Sequence, residues 1–294
     1  MVTTQKHRRN LKNSAKAIGL ELLAILLFAL FMMPFVFVLL NSMRTNAEII
    51  NQAVAWPQDA SNLFTNIVTV WNNPTFSFIT SFRDSVIITA LSLLLICIVS
   101  SMAAWVLVRH NTKWSKAFFL MFVTAMVIPF QVVMFPLVSW FRTVGEVTHI
   151  PLLRNYGGII FAYLGFGESM SVFIFHGFIK NIPLELEEAA AVDGCSRAKI
   201  FFHIVLPLLQ PVVVTVLVLN GLWIWNDYLL PLLILGANGN VRTIPLAVQG
   251  FIGSYVKQWH LIMVSTLLAM LPIIILYIFA QKYIVKGMVD GAGK

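Results

Sequence analysis

Residues Ile182–Pro211 read Ile-Pro-Leu-Glu-Leu-Glu-Glu-Ala-Ala-Ala-Val-Asp-Gly-Cys-Ser-Arg-Ala-Lys-Ile-Phe-Phe-His-Ile-Val-Leu-Pro-Leu-Leu-Gln-Pro. The segment is a charged, water-compatible island between two long apolar runs. Nothing about a bilayer requires such an island, so its polarity points to a partner on the water side. Pro183 suits the first turn of a helix. Glu185, Glu187 and Glu188 follow in the early turns, where carboxylates favour the positive helix end. Ala189, Ala190 and Ala191 combine high helix propensity with small volume and allow another backbone close. Asp193-Gly194 stops the helix, with Gly194 free to adopt the left-handed conformation. Ser196 can cap a second helix that carries Arg197 and Lys199 outward and Phe201, Phe202 and Ile204 inward, re-entering the membrane near Leu206-Pro207. The first helix, predicted at about ten residues or roughly 15 Å, is marginal in water alone. It either docks in a partner's groove or rests on its own protein as a linker.

Working outward, 59% of the residues are hydrophobic and 11% charged, with a mean hydropathy of +0.85. Soluble domains carry about 25% charged residues, so the chain belongs with integral membrane proteins. Six apolar runs reach the roughly 20 residues that cross a bilayer core, at about 18–40, 85–108, 117–139, 158–179, 205–235 and 260–282. The first is too long for a signal-peptide core and is expected to be a retained span. The fifth is too long for one straight helix, and Pro231 is the predicted break. The predicted fold is therefore an all-α integral membrane protein of six transmembrane helices. Residues 1–17 form a basic N-terminus, 18–284 the membrane domain and 285–294 a C-terminal tail.

Fourteen of the twenty Lys and Arg residues fall on one side of this layout, among them Lys6, Arg109, Lys180, Arg197 and Lys282; six (Arg44, Arg83, Arg142, Arg154, Arg242 and Lys257) fall on the other. By the positive-inside rule both termini and the 181–204 loop are cytoplasmic. Orientation and anionic lipid account for the net charge of +8 and leave no call for nucleic acid. Two loops, 41–84 and 236–258, lie outside and either contact a soluble partner or merely connect spans. Pro34, Pro129, Pro136, Pro231 and Pro272 in or beside the spans suit helices that bend and line a path.

Cys97 and Cys195 read as free thiols, and none of the six histidines falls at metal-ligand spacing. Gly293-Lys294 lacks the rest of a phosphate loop, because position 288 is Met and no Ser or Thr follows. The chain has no nucleophile–base arrangement and no means to hydrolyse ATP.

The island resembles the cytoplasmic loop signature of permease subunits in ATP-binding-cassette importers: Glu-Ala-Ala, three residues, Gly, nine residues, Ile, one residue, Leu-Pro. It falls without a gap on Glu188, Ala189, Ala190, Gly194, Ile204, Leu206 and Pro207. Asn155-Tyr156-Gly157, Gly177-Phe178, Trp223-Ile224-Trp225-Asn226-Asp227-Tyr228, Thr243-Ile244-Pro245-Leu246 and Gln281-Lys282-Tyr283 extend the likeness over roughly 15–294, to the maltose-type subfamily of carbohydrate permeases and its six-span subunit. Arg83-Asp84-Ser85 departs from the Asn-Ser common at that point, and Asp290 and the last four residues depart from the usual tail. The resemblance implies a second related permease completing the pathway. Two ATPase subunits would sit beneath, holding ATP and Mg, with no cofactor bound by this chain. An extracytoplasmic solute-binding protein would deliver sugar, and the setting would be a prokaryotic inner or plasma membrane. The short helix would be a coupling helix between spans 4 and 5, with Glu188 facing an ATPase cleft, Ala189 and Ala190 fitting closely, and Asp193-Gly194 turning the chain.

Five polar or aromatic residues within the spans have two readings each. Asn226 and Asp227 either face a pathway for a hydroxyl-rich solute or make a structural contact to a neighbouring span. Trp223 and Trp225 either stack on sugar faces or are interfacial aromatics. Glu168, beside Gly165, Gly167 and Ser169, costs about 2.5–3.5 kcal/mol near a helix centre and must face a cavity or a partner. Such subunits usually lack an acid there. Two further function classes remain: an ion-coupled secondary transporter using Glu168 and Asp227, and a membrane scaffold. The solute could also be polar without being a sugar, such as a glycerol phosphate.

Overall fold

In the computed structural model of the protein the described residues are 2–52, 54–73, 78–237, 239–251 and 257–292, with side chains described from residue 16 onward except 276, 279, 280 and 282–292. Among them every regular element is helical. In chain order these are α1 (Val2–Ser42), α2 (Asn46–Asn51), α3 (Asn62–Trp71), α4 (Phe78–Arg109), α5 (Lys113–Ala125), α6 (Phe130–Thr148), α7 (Tyr156–Ile179), α8 (Glu185–Val192) and α9 (Arg197–Ile200). A π-helical turn, Phe201–Val205, then leads to α10 (Leu206–Leu208), α11 (Gln210–Asn226), α12 (Leu229–Leu235), α13 (Ile244–Val248) and α14 (Trp259–Ala292). The backbone divides into two bodies, one of residues up to Asn72 with Phe251–Leu268, the other of Asn73–Gly250 with the segment from Ala269.

In the first body, Lys16–Ser42 of α1 has a mean hydropathy of 2.9 and is unburied throughout its most apolar stretch. Its Leu, Ile and Phe side chains project on all sides, as they do on a helix whose solvent is lipid. At its end the chain folds tightly. Arg44, only 2% exposed, donates to Asn41 Oδ1 at 2.9 Å and to the Glu48 and Gln52 carbonyls at 2.7 Å each, closing the C-terminus of α2. Thr45 and Glu48 form a capping box at the other end of α2. Asn66 of α3 donates to the Ser42 and Arg44 carbonyls. Loop 41–84 thus begins as built structure, and its one buried cation satisfies carbonyls instead of meeting headgroups.

The second body is organised by α4 and α7. α4 buries Ser81, Ser85, Ile88, Ser92, Ile96, Ser100 and Ala104, a stripe at steps of three and four residues. Small side chains in that stripe let the backbone of α7 come close. A Cβ added at Gly167 would lie 2.5 Å from Ile96 Cδ1 and 3.0 Å from Asn220 Oδ1, which explains a glycine there. α7 is the more enclosed of the two, with 56% of its apolar window buried against 33% for α4.

The spans differ from the expected layout of six helices with a single break at Pro231. Among the described residues three helices are long and apolar enough to cross a membrane: Lys16–Ser42, Phe78–Arg109 and Tyr156–Ile179. The predicted span 117–139 is two helices, α5 and α6, bent by 106° at Met126–Pro129. Pro129 has no N–H to continue the helix, and its extended backbone ends the run. The fifth run bends by 77° between Arg197–Leu208 and Gln210–Asn226. Pro207 and Pro211 remove two donors one turn apart there, and the Leu206 N–H bonds back to the Phe201 carbonyl in the π pattern. This run breaks again at Asp227–Tyr228 and not at Pro231, which lies buried inside α12. The second span starts at Phe78, ahead of the predicted 85. The α14 backbone is helical through Ala292; Gly293 and Lys294 of the predicted tail lie outside the described residues, as do Asn238 and 252–256 of loop 236–258.

Candidate functional site

The decisive geometry surrounds α8. It spans eight residues, Glu185–Val192, with Pro183 ahead of the helix rather than in its first turn. One of its faces is latched to the end of α4. Glu187, 7% exposed, accepts from Arg109 Nε at 2.8 Å and Trp105 Nε1 at 2.9 Å, so each carboxylate oxygen is held. Arg109 Nη2 lies 2.7 Å from Glu187 Oε1 and also donates to the Ile182 carbonyl at 3.0 Å. Ala190 is buried on the same face, and the Trp105 ring sits 5.4 Å from that of Phe201. Ion pairing with a planar, forked guanidinium fixes direction as well as distance.

The opposite face is open. Leu186 is 45% and Val192 88% exposed, and Glu188 and Ala189 are exposed beside them. The helix then ends in a Schellman motif: Gly194 N–H bonds to the Ala191 carbonyl at 3.1 Å and Cys195 N–H to that of Ala190 at 3.0 Å. Gly194 has φ +79°, with nothing within 4 Å of where a Cβ would be. Ser196 caps α9 by accepting from Lys199 N, as the sequence predicts. Phe201 points into the core, but Phe202 is 45% exposed and does not. Ile204 and Leu206 are half-buried and Pro207 is exposed. A recess of about 340 Å³ between α8 and the Arg109 end of α4 is lined by Trp105, Arg109, Glu187, Glu188 and Arg197, among others.

The residues predicted for a pathway separate. Trp223, 39% exposed, helps line a cavity of about 700 Å³ with Trp140, Phe161, Phe166 and Asn220. Its ring meets that of Tyr163 edge-on at 5.4 Å. Asp227 accepts from Tyr163 Oη at 3.1 Å and from Leu229 N–H at 3.0 Å, starting α12. Asn226 is exposed and donates to the Leu222 carbonyl of its own helix. Trp225 faces away from the cavity; it is 9% exposed and donates to the Ala269 carbonyl at 3.1 Å. Glu168 is not among the cavity's lining residues, and its Oε1 is buried without a hydrogen-bond partner among the described residues.

Sequence reasoning missed a second polar junction, at the far end of α4. Asp84 is fully buried. Its Oδ1 accepts from Tyr156 Oη at 2.7 Å and Arg83 Nη2 at 3.0 Å, and its Oδ2 from Arg242 N–H at 3.1 Å. Ser85 Oγ accepts from Ile244 N–H at 2.8 Å. The start of α4, the start of α7 and the loop before α13 are thereby tied together. The signal was an acid directly after Arg83 at the head of an apolar run, read only as a departure from a pattern.

Comparison with known proteins agrees with this architecture. The family described as binding-protein-dependent transport system inner membrane component matches residues 96–290. A probable starch degradation products transport system permease protein, AmyC, of Thermoanaerobacterium thermosulfurigenes is 42% identical, over 94% of this chain and 96% of that protein. The melibiose/raffinose/stachyose import permease protein MelC of Bacillus subtilis is 34% identical over the same shares. A crystal structure of a bacterial ABC transporter that imports the acidic polysaccharide alginate contains a chain that superposes with a TM-score of 0.76 at 20% identity, covering 91% of this chain and 95% of that one. At that identity the likeness establishes the fold.

Proposed function

Because the chain belongs to the binding-protein-dependent transport system inner membrane component family, we propose that it is the six-span permease subunit of an ATP-binding-cassette importer for a sugar or oligosaccharide. A second, related permease completes the pathway, and an extracytoplasmic binding protein supplies the solute. Two ATPase subunits bind ATP and Mg. The termini and the 181–204 loop face the cytoplasm, and α8 is the coupling helix.

One observation carries this reading. α8 is fastened through Glu187 and Ala190 on one face and presents Leu186, Ala189 and Val192 on the other, rimmed by Glu185 and Glu188. A helix this short does not persist in water unaided, and exposed apolar residues at such spacing suit a groove in another protein. The latch turns Glu188 outward by holding its neighbour Glu187 inward. Transport is then a population shift between inward- and outward-open states, driven by nucleotide-dependent closure of the ATPases around α8. Sugar as the solute is supported by the import systems of the relatives and by the aromatic lining of the larger cavity.

The test is affinity purification of the chain from membranes holding the co-expressed ATPase. Val192→Asp and Gly194→Asp are expected to insert normally and to lose most of the ATPase. Equal recovery with both would overturn the assignment of α8. The unpartnered Glu168 oxygen favours ion coupling as the second reading. Uptake that stops when the ion gradient collapses, with ATP still present, would select it.

A further inference from the structure

We propose that α4 is a stiff strut through which the loop around 239–248 and the coupling helix α8 act on one another, with Asp84 and Arg109 as the positioning residues at its two ends. The inference rests on the importer reading above and goes beyond it by naming the element that links the two faces of the subunit.

Across its 32 residues α4 contains neither glycine nor proline. The other long apolar elements are all softened: α5 and α6 meet at a bend of 106°, the run into α11 bends by 77°, α1 and α14 contain Pro34 and Pro272, and α7 carries five glycines. Proline and glycine are the usual sites of sharp kinks; α4 has neither, and its Ser101 Oγ bonds back to the Cys97 and Ile98 carbonyls inside one unbroken helix. Asp84 and Arg109 are about 37 Å apart along it at 1.5 Å per residue.

Both ends are gripped through buried, charge-assisted bonds. At one end Asp84 Oδ2 and Ser85 Oγ hold the main-chain N–H groups of Arg242 and Ile244, so a shift of the loop pulls on α4 by its backbone and not by a mobile side chain. At the other, Arg109 holds both Glu187 of α8 and the Ile182 carbonyl of the chain leading into it. One guanidinium of α4 therefore holds both α8 and the segment that leads into it, which resists rotation as well as separation. Docking of a loaded binding protein on the loop side and closure of the ATPases on α8 bias the same helix. Such coupling is reciprocal: whatever α4 carries in one direction it carries in the other.

The experiment uses the complete complex, with both permeases, the ATPases and the binding protein, reconstituted in lipid. Two ratios are measured: ATP turnover with against without loaded binding protein, and binding-protein affinity with against without a non-hydrolysable ATP analogue. For Arg109→Gln and for Asp84→Asn both ratios are expected to fall, each about fivefold, with the ATPase still bound. The double variant is expected to fall no further than the worse single, because both lesions cut one path. Loss of stability alone would move neither ratio in the surviving complex. If Arg109→Gln fails to assemble, Arg109→Lys reads the same quantities, keeping the charge and losing the fork. Unchanged ratios in intact variant complexes, or additive losses in the double, would overturn the strut. A wild-type complex in which the binding protein does not stimulate turnover would instead overturn the importer reading.

Discussion

Arg109 Nη2 and Glu187 Oε1 lie 2.7 Å apart, joining residues 78 positions apart in sequence at the junction of α4 and α8. The pair is mostly buried, with side chains 17% and 8% exposed, and Trp105 saturates the second carboxylate oxygen. Removing the cation therefore leaves a carboxylate short of solvent and of its main partner. Arg109→Ala is expected to lower stability by about 2–3 kcal/mol, and Glu187→Gln by less, because the amide oxygen still accepts from Trp105. Thermal unfolding in detergent should also show Arg109→Ala/Glu187→Ala costing less than the sum of the singles. Additive losses would mean that the two groups do not interact.

The close approach of α7 to α4 at Gly167 depends on Ile96. A methyl at Gly167 collides with the Ile96 Cδ1 end and crowds Asn220 Oδ1. Gly167→Ala should cost about 1–3 kcal/mol through overpacking, and Ile96→Val in the same chain should recover part of that. Ile96→Val alone should cost about 1 kcal/mol for its lost methylene. Absence of rescue in unfolding measurements would place the cost elsewhere.

Two tryptophans only two residues apart are expected to behave oppositely. Trp225→Phe gives up the hydrogen bond to the Ala269 carbonyl and should lose about 1 kcal/mol of stability with little change in uptake affinity. Trp223→Ala, at the wall of the larger cavity, should unfold near the wild-type temperature while raising the apparent KM for solute uptake. An unchanged KM for Trp223→Ala would leave that cavity without a part in transport.

Acid should loosen the cap of α2. The Thr45 N–H donates to Glu48 Oε2 at 2.7 Å and, as the largest influence, holds that carboxyl below its ordinary value. A carboxyl lowered in the folded state stabilises fully above its unfolded pKa, about 4.3, and that benefit disappears as the pH falls through the lower folded value. The difference in melting temperature between wild type and Glu48→Gln should be present at pH 6 and vanish in acid. A difference independent of pH would remove the cap from the account.

The apolar runs, the short acidic-alanine helix, its stop at Gly194 and the cap at Ser196 were all legible in the chain, because each is set by residues within a turn or two. Hydropathy also located the long apolar helices Lys16–Ser42, Phe78–Arg109 and Tyr156–Ile179. It did not foresee that the third run folds into two helices at Pro129, or that the fifth breaks at Asp227 and leaves Pro231 inside α12. Whether a proline bends a helix or begins one depends on which carbonyls its neighbours satisfy.

What the sequence determined by itself was a membrane chain with a short polar helix between two apolar runs, since composition and local propensity act without reference to distant residues. Tertiary structure decided which side chain performs which task. Glu187 and Glu188 are adjacent and chemically identical, yet Arg109 draws only Glu187 inward and leaves Glu188 exposed. Trp223 faces a cavity while Trp225 is buried against the Ala269 carbonyl. Asp84 gathers Tyr156 and the Arg242 backbone from 72 and 158 positions away. The physical reason is shared by Glu187, Asp84 and Trp225: a buried charge or polar N–H must find partners, and for these residues the partners come from parts of the chain that only folding brings near.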